Sequence, residues 1–170
     1  INEPWEDEAI RFYYGILAKY DKQAQILFNK LKNFEIKNIY PGHGAILIEN
    51  IVHYISLYDK WSKFISEENG VVIVYSSIYG HTKKVIDKLA EKLKLLNTKY
   101  IMHNVWQGHL TQIITDIFKY NSLILASVTI NDDIFASMRQ LIEILVLFNY
   151  QKRHVGFIGN GSWNLESKCK

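Results

Sequence analysis

Ser76-Ser77-Ile78-Tyr79-Gly80-His81-Thr82 is the stretch of this chain best equipped for chemistry. It follows the apolar run Val71-Val72-Ile73-Val74-Tyr75 and opens a segment patterned as an amphipathic helix. A strand that ends in hydroxyls and a glycine, then turns into a helix, aims the first free N–H groups of that helix at one spot. Such a spot is a ready anion site. Gly80 would let the backbone come close, and Ser77 and Thr82 can donate hydroxyl hydrogen bonds. No Gly-Lys-Ser/Thr ending places a lysine for a γ-phosphate, and the three-glycine spacing of a dinucleotide site is absent. What fits is a monophosphate held without metal.

Two further stretches carry suitable groups. Ser127-Val128-Thr129-Ile130-Asn131 offers hydroxyls, an amide and free backbone groups at a strand end. Gly159-Asn160-Gly161-Ser162-Trp163 offers a pliant backbone and one large aromatic. Polar groups for a heteroaromatic edge, with an aromatic to cover its face, suit a flat polar ring. Each stretch alone has a plainer reading, in which Gly159 and Gly161 make a turn and Trp163 caps a core edge. Their common placement decides for a ligand.

That placement follows from the elements around them. Period and composition predict strands at 71–76, 99–105, 122–128 and 153–158, alternating with helices at 82–96, 110–120 and 134–148. Val71 to Val74 and Leu123 to Ala126 are continuous apolar runs, as parallel strands covered on both faces require. Such alternation builds right-handed βαβ units in an open, doubly wound α/β sheet, whose ligands sit beyond the carboxyl ends of the strands. The loops 77–82, 127–133 and 159–163 should then line one site.

The first third is different. Ala9, Ile10, Tyr13, Ile16, Leu17 and Tyr20 recur at helical spacing, and Asp21 can cap a second helix carrying Ala24, Ile26, Leu27, Leu31 and Phe34. A short strand, 36–40, is broken by Pro41-Gly42-His43-Gly44. A further helix from Asn50 would bury Ile51, Tyr54, Ile55, Tyr58 and Trp61. Polar Ser66 to Gly70 marks a domain boundary, giving domains 1–66 and 70–170.

Composition narrows the function. At 170 residues, 48% apolar and 14% aromatic, the chain is packed rather than disordered. Its longest apolar stretches, such as Ile144 to Phe148, are too short for a membrane span. Ile1 is not a start methionine and no leader follows it, so the expectation is a native polypeptide that begins upstream and is not exported. The single cysteine, Cys169, excludes an internal disulfide and suits a cytoplasmic location. Residues 1–70 hold 8 basic and 10 acidic side chains, residues 71–170 hold 12 and 7. The basic half could help hold a phosphate, although Lys83, Lys84, Lys88, Lys92 and Lys94 also suit a solvated helix face. No basic run interleaved with aromatics speaks for nucleic acid.

The motif Ser77-Ile78-Tyr79-Gly80-His81-Thr82 resembles the FMN phosphate loop of flavodoxin-like domains, and its tyrosine is similar to that of flavodiiron proteins. Asp7-Glu8-Ala9 through Phe12-Tyr13-Tyr14, Tyr20-Asp21-Lys22-Gln23 and Ile39-Tyr40-Pro41-Gly42-His43-Gly44 look like the end of the metallo-β-lactamase-like αββα domain that precedes the flavodoxin-like domain in that family. The resemblance covers nearly the whole chain. It implies an oxidoreductase that passes electrons through FMN to a non-haem di-iron site, reducing oxygen to water or nitric oxide to nitrous oxide. FMN would be held by Ser77, Ile78, Tyr79, Gly80, His81 and Thr82, by Ser127, Thr129, Ile130 and Asn131, and by Gly159, Asn160, Gly161, Ser162 and Trp163. His43 matches the last metal-ligand histidine. The implied partners are a head-to-tail second copy and an electron donor such as rubredoxin or a flavin/NADH reductase.

Departures from the family pattern leave other readings open. The His-x-Glu-x-Asp-His cluster is absent, and one histidine cannot hold two irons. Val128 stands where many relatives have proline. The chain stops after the third loop, so a sheet edge is expected to lie open and FMN to bind weakly. A stand-alone FMN electron carrier and a non-catalytic remnant are the alternatives, and a metal-dependent hydrolase is a weaker one.

Overall fold

The computed structural model describes residues 5–131 and 133–161. The chain divides into two compact units, Ile1–Ile65 and Ser66–Lys170.

In the first unit, α1 (Glu6–Phe12) runs into a π-turn at Tyr13–Leu17 and a 3-10 turn at Ala18–Tyr20. The π-turn holds an extra residue, so the side chains beyond it rotate away from the expected stripe. Tyr14 is buried beside Ala9, Ile10 and Tyr13, while Ile16, expected inside, is 54% exposed. Helix α2 (Asp21–Leu31) has Asp21 as its first helical residue rather than its cap, which is Tyr20, and none of its residues is fully buried. Its apolar side instead faces a hollow of about 630 Å³, lined among others by Ala24, Leu27, Leu31, Tyr13 and Tyr58. The strand expected at 36–40 is reduced to one antiparallel bridge, Ile39 with Leu47. Pro41 has no N–H to extend a ladder past it. Helix α3 (Ile51–Ser62) buries Ile51, Leu57 and Trp61. Tyr13 packs edge-on against Tyr58, at 5.6 Å between ring centroids, and at a 45° tilt against Trp61, at 5.8 Å. Burial pushes its phenol up to about 12, and nearby Asp21 acts in the same direction.

The second unit alternates strand and helix as its periodicity predicts. Its elements are β1 (Glu68–Tyr75), α4 (His81–Leu95), β2 (Tyr100–Asn104), α5 (Leu110–Lys119), β3 (Tyr120–Ile130), β4 (Asp133–Ile134), α6 (Ala136–Leu147) and β5 (His154–Asn160). Strand β1 begins at Glu68, so Glu68 to Gly70 are strand rather than linker. The sheet order is β2-β1-β3, with β5 parallel on the far side of β3 and β4 antiparallel to the end of β3. This is the doubly wound, flavodoxin-like order as far as the described strands go.

The chain steps from β1 to β2 in one direction and from β2 to β3 in the other. Right-handed crossovers therefore place α4 and α5 on opposite faces of the sheet. On the α4 face, Val71, Ile73, Tyr75, Ala126 and Ile86 form a buried cluster with Leu89 and Leu93. The alternate residues Val72, Val74, Leu123 and Leu125 are buried on the other face, as are Ile113 and Ile117 of α5 and Met138 and Leu141 of α6. Among the described strands β5 is an edge, and Phe157 on it is 59% exposed.

Candidate functional site

Strand register sets the site. Tyr75 lies beside Ala126, Ala126 beside Ile158, and Ser127 beside Gly159, so β1, β3 and β5 run out at the same end of the sheet, with β3 reaching on to Ile130. All three post-strand segments emerge on the same sheet edge.

The first segment ends in the α4 N-terminus. Gly80 adopts φ +80° at the N-cap, and a Cβ there would meet nothing within 4 Å. The glycine is thus required by the left-handed backbone, not by close approach. Ser77 Oγ accepts from the Lys83 N–H at 3.3 Å, and the Lys84 N–H bonds the Gly80 carbonyl at 3.0 Å. Among the described residues no acceptor pairs with the His81 or Thr82 N–H, which leaves two convergent donors at the positive end of a helix. Tyr79 is exposed, as are Ile78 and His81. Thr82 is fully buried, and its hydroxyl accepts from Asn160 Nδ2 at 3.3 Å.

The second segment is less open than expected. Strand β3 continues to Ile130, turns at Asn131 (φ +47°) and pairs with β4 through Thr129–Ile134 and Ile130–Asp133. Part of the backbone expected to be free is therefore spent in a hairpin. Ser127 is buried, 3.1 Å from Ser76 Oγ, and donates to the Val128 carbonyl at 3.0 Å. Thr129 Oγ1 is buried with no partner among the described residues. An orphaned hydroxyl of this kind calls for a ligand or water.

In the third segment Gly159 and Asn160 extend β5, where the post-strand loop was expected to begin, and Gly161 follows it. A Cβ on Gly161 would fall 1.9 Å from Thr129 Oγ1, so here close approach does demand glycine. Ser162 and Trp163 lie outside the described residues.

The three segments are consequently joined pairwise: first to second by Ser76 and Ser127, first to third by Thr82 and Asn160, second to third by Thr129 and Gly161. Sequence reasoning placed Ser76 in the first stretch but not among the site residues; its signal was a hydroxyl directly after the buried run of β1. That reasoning also missed Trp106, an exposed aromatic in the β2–α5 turn at this edge.

His43 belongs to the other unit, exposed, with its ring 5.7 Å from that of Phe12. Among the described residues no three His, Cys, Asp or Glu side chains gather to hold a metal ion. The described donor set therefore does not fit a di-iron centre, which needs several imidazole and carboxylate ligands. FMN is different: two helix amides and one hydroxyl without partners among the described residues, with a close-approach glycine, fit a phosphorylated ring compound. Among the described residues no helix is long and apolar enough to cross a membrane.

Known proteins resemble this arrangement. An uncharacterized protein of Methanocaldococcus jannaschii is 28% identical over 145 residues, covering 85% of this chain and 37% of the relative. The anaerobic nitric oxide reductase flavorubredoxin of Escherichia coli is 19% identical over 162 residues, 93% of this chain and 34% of the relative. The crystal structure of the flavodiiron protein from Giardia intestinalis superposes with a TM-score of 0.84 at 19% identity, over 96% of this chain and 43% of that one. No protein-family model matches. The chain is thus similar to flavodiiron proteins through nearly its whole length and shares their fold. It spans about a third to two-fifths of the length of the curated relatives it matches.

Proposed function

We propose that this chain supplies the FMN-binding part of a flavodiiron oxidoreductase, with residues 70–170 as its flavodoxin-like domain and 1–66 as the end of a metallo-β-lactamase-like domain. The observation that carries the reading is the pairwise joining of three strand-end segments that bear two amides and one hydroxyl without partners among the described residues. The His81 and Thr82 amides, with the Ser77 hydroxyl, would hold the phosphate. Thr129, Ile130, Asn131, Gly159, Asn160 and Gly161 would meet the ribityl chain and ring. The bound flavin supplies electron transfer in steps of one or two electrons. The protein's part is to fix the phosphate and present hydrogen-bonding groups to the ring.

Reduction of oxygen to water or of nitric oxide to nitrous oxide at a di-iron site follows from the resemblance to flavodiiron proteins, as do a head-to-tail dimer and an external electron donor. His43 is the one candidate iron ligand that the resemblance identifies here. Titration of the protein with FMN, followed by flavin fluorescence, tests the reading. The expected result is saturable one-to-one binding that inorganic phosphate weakens and that riboflavin, lacking the phosphate, reproduces poorly. No binding, or equal affinity for riboflavin, would overturn it.

A further inference from the structure

The β3–β4 hairpin carries Thr129, Ile130 and Asn131, yet only two residue pairs form its ladder. A two-stranded hairpin so short does not hold its own position. On its α6 side lies a hollow of about 420 Å³ lined by Ile130, Ile134, Arg139 and Gln140. Among the described residues, what spans this hollow is the exposed ion pair of Asp133 with Arg139. From the β2–α5 turn, however, Trp106 reaches the foot of the hairpin. Its ring centroid is 5.6 Å from that of Phe135, inclined at 51°.

Both ends of that contact are anchored. The Trp106 N–H donates to Asn104 Oδ1 at 3.0 Å, the Gly108 N–H to the Asn104 carbonyl at 2.8 Å, and the Val105 N–H to the Tyr75 carbonyl at 2.9 Å. Tyr75 is the last residue of β1, just before the phosphate-side segment. Phe135 is buried, donates its N–H to the Val128 carbonyl at 3.2 Å and caps α6. Trp106 itself is 68% exposed. So large an aromatic in water, whose ring contact among the described residues is Phe135, is placed for that contact rather than for the core.

We propose that Trp106 is a positioning residue: a strut that holds the β3–β4 hairpin at a fixed distance from the β1 end, so that the ring-side groups stay in register with the phosphate side. The flavin part of this inference rests on the FMN reading above; the strut itself does not. Loss of an aromatic pair of this type changes a local opening equilibrium by about two- to tenfold.

Amide hydrogen exchange in the protein without ligand tests the strut. In Trp106→Ala the amides of Ile130, Asn131, Ile134 and Phe135 are expected to exchange about two- to tenfold faster, with β1 and α4 unchanged, and Trp106→Phe should restore protection. Unchanged exchange in Trp106→Ala, or equal acceleration throughout β1 and α4, would overturn the proposal. In parallel, Trp106→Ala should raise the FMN dissociation constant severalfold, while inorganic phosphate binds as in the parent protein. If the parent binds no FMN, the site reading fails and the exchange result still decides the strut. If the parent binds FMN and Trp106→Ala binds it equally well, the strut has no role in the site.

Discussion

The hydroxyls of Ser76 and Ser127 lie 3.1 Å apart, both buried, at matching ends of two adjacent parallel strands. Ser76 Oγ also accepts from the Val128 N–H at 3.3 Å, and the Ser76 N–H bonds the Ala126 carbonyl at 2.8 Å. This small network fixes where the chain leaves β1 relative to where β3 goes on toward its hairpin. Ser76→Ala removes an acceptor from a half-buried N–H and should cost about 1–2 kcal/mol. Replacing both serines with alanine should cost less than the sum of the single changes, because neither hydroxyl is then left unpaired. Urea unfolding of the three variants checks this, and additive losses would show that the two hydroxyls act independently.

Thr82 and Asn160 make the second link, at 3.3 Å. Thr82 is fully buried, so its hydroxyl bears on the site through Asn160 as well as through any phosphate. Thr82→Val should weaken FMN binding by about 1–3 kcal/mol. Asn160→Ala should weaken it in the same direction. The double variant should fall short of additivity by at least about 0.5 kcal/mol. Titrations of the four proteins supply the cycle, and strict additivity would dissolve the link.

Much of this was legible in the residues, for identifiable reasons. Parallel strands covered on both faces need unbroken apolar runs, so β1 and β3 stand out. Amphipathic helices between them leave a clear period, as in Ile86, Leu89, Ala90 and Leu93. What was illegible depends on backbone events with no residue signature. The π-turn at Tyr13–Leu17 turned Ile16 outward although its spacing is ideal for burial. Asn131 in a left-handed conformation folded the expected open segment into a hairpin. Gly80 and Gly161 looked alike in sequence, yet one is needed for its dihedral and the other for space.

Glu68, at the opposite edge of the sheet, makes the fold sensitive to acid. Its hydrogen bond to Lys99 holds its carboxyl below the usual range, and the charges of Lys99 and Lys119 act in the same direction. A carboxylate with a depressed folded-state pKa contributes stability above its unfolded pKa, near 4.3, and loses it as pH falls through the folded value. Thermal melts of Glu68→Gln and the parent protein should therefore differ slightly at pH 7 and converge in acid. The partners are partly exposed, so the difference should also shrink in 1 M salt. A gap that widens toward low pH would reverse the assignment.

Arg153 locks the same edge. Its Nε donates to the Tyr120 carbonyl at 2.9 Å and its Nη2 to the Phe118 carbonyl at 2.8 Å, spanning the end of α5 and the first residue of β3. The guanidinium also faces the negative end of the α5 dipole, where a cation is favoured. Arg153→Met should destabilise the fold by about 1.5–3 kcal/mol, and Arg153→Lys should recover only part, since an ammonium cannot reproduce the planar fork. Because His154 opens β5 at the edge remote from Gly159 to Gly161, FMN affinity at temperatures where the variants stay folded should remain within about twofold of the parent, by the usual additivity of distant sites. Urea unfolding and FMN titration of both variants separate the two effects. A variant that keeps full stability yet loses flavin would show that this arginine serves the ligand rather than the strand junction.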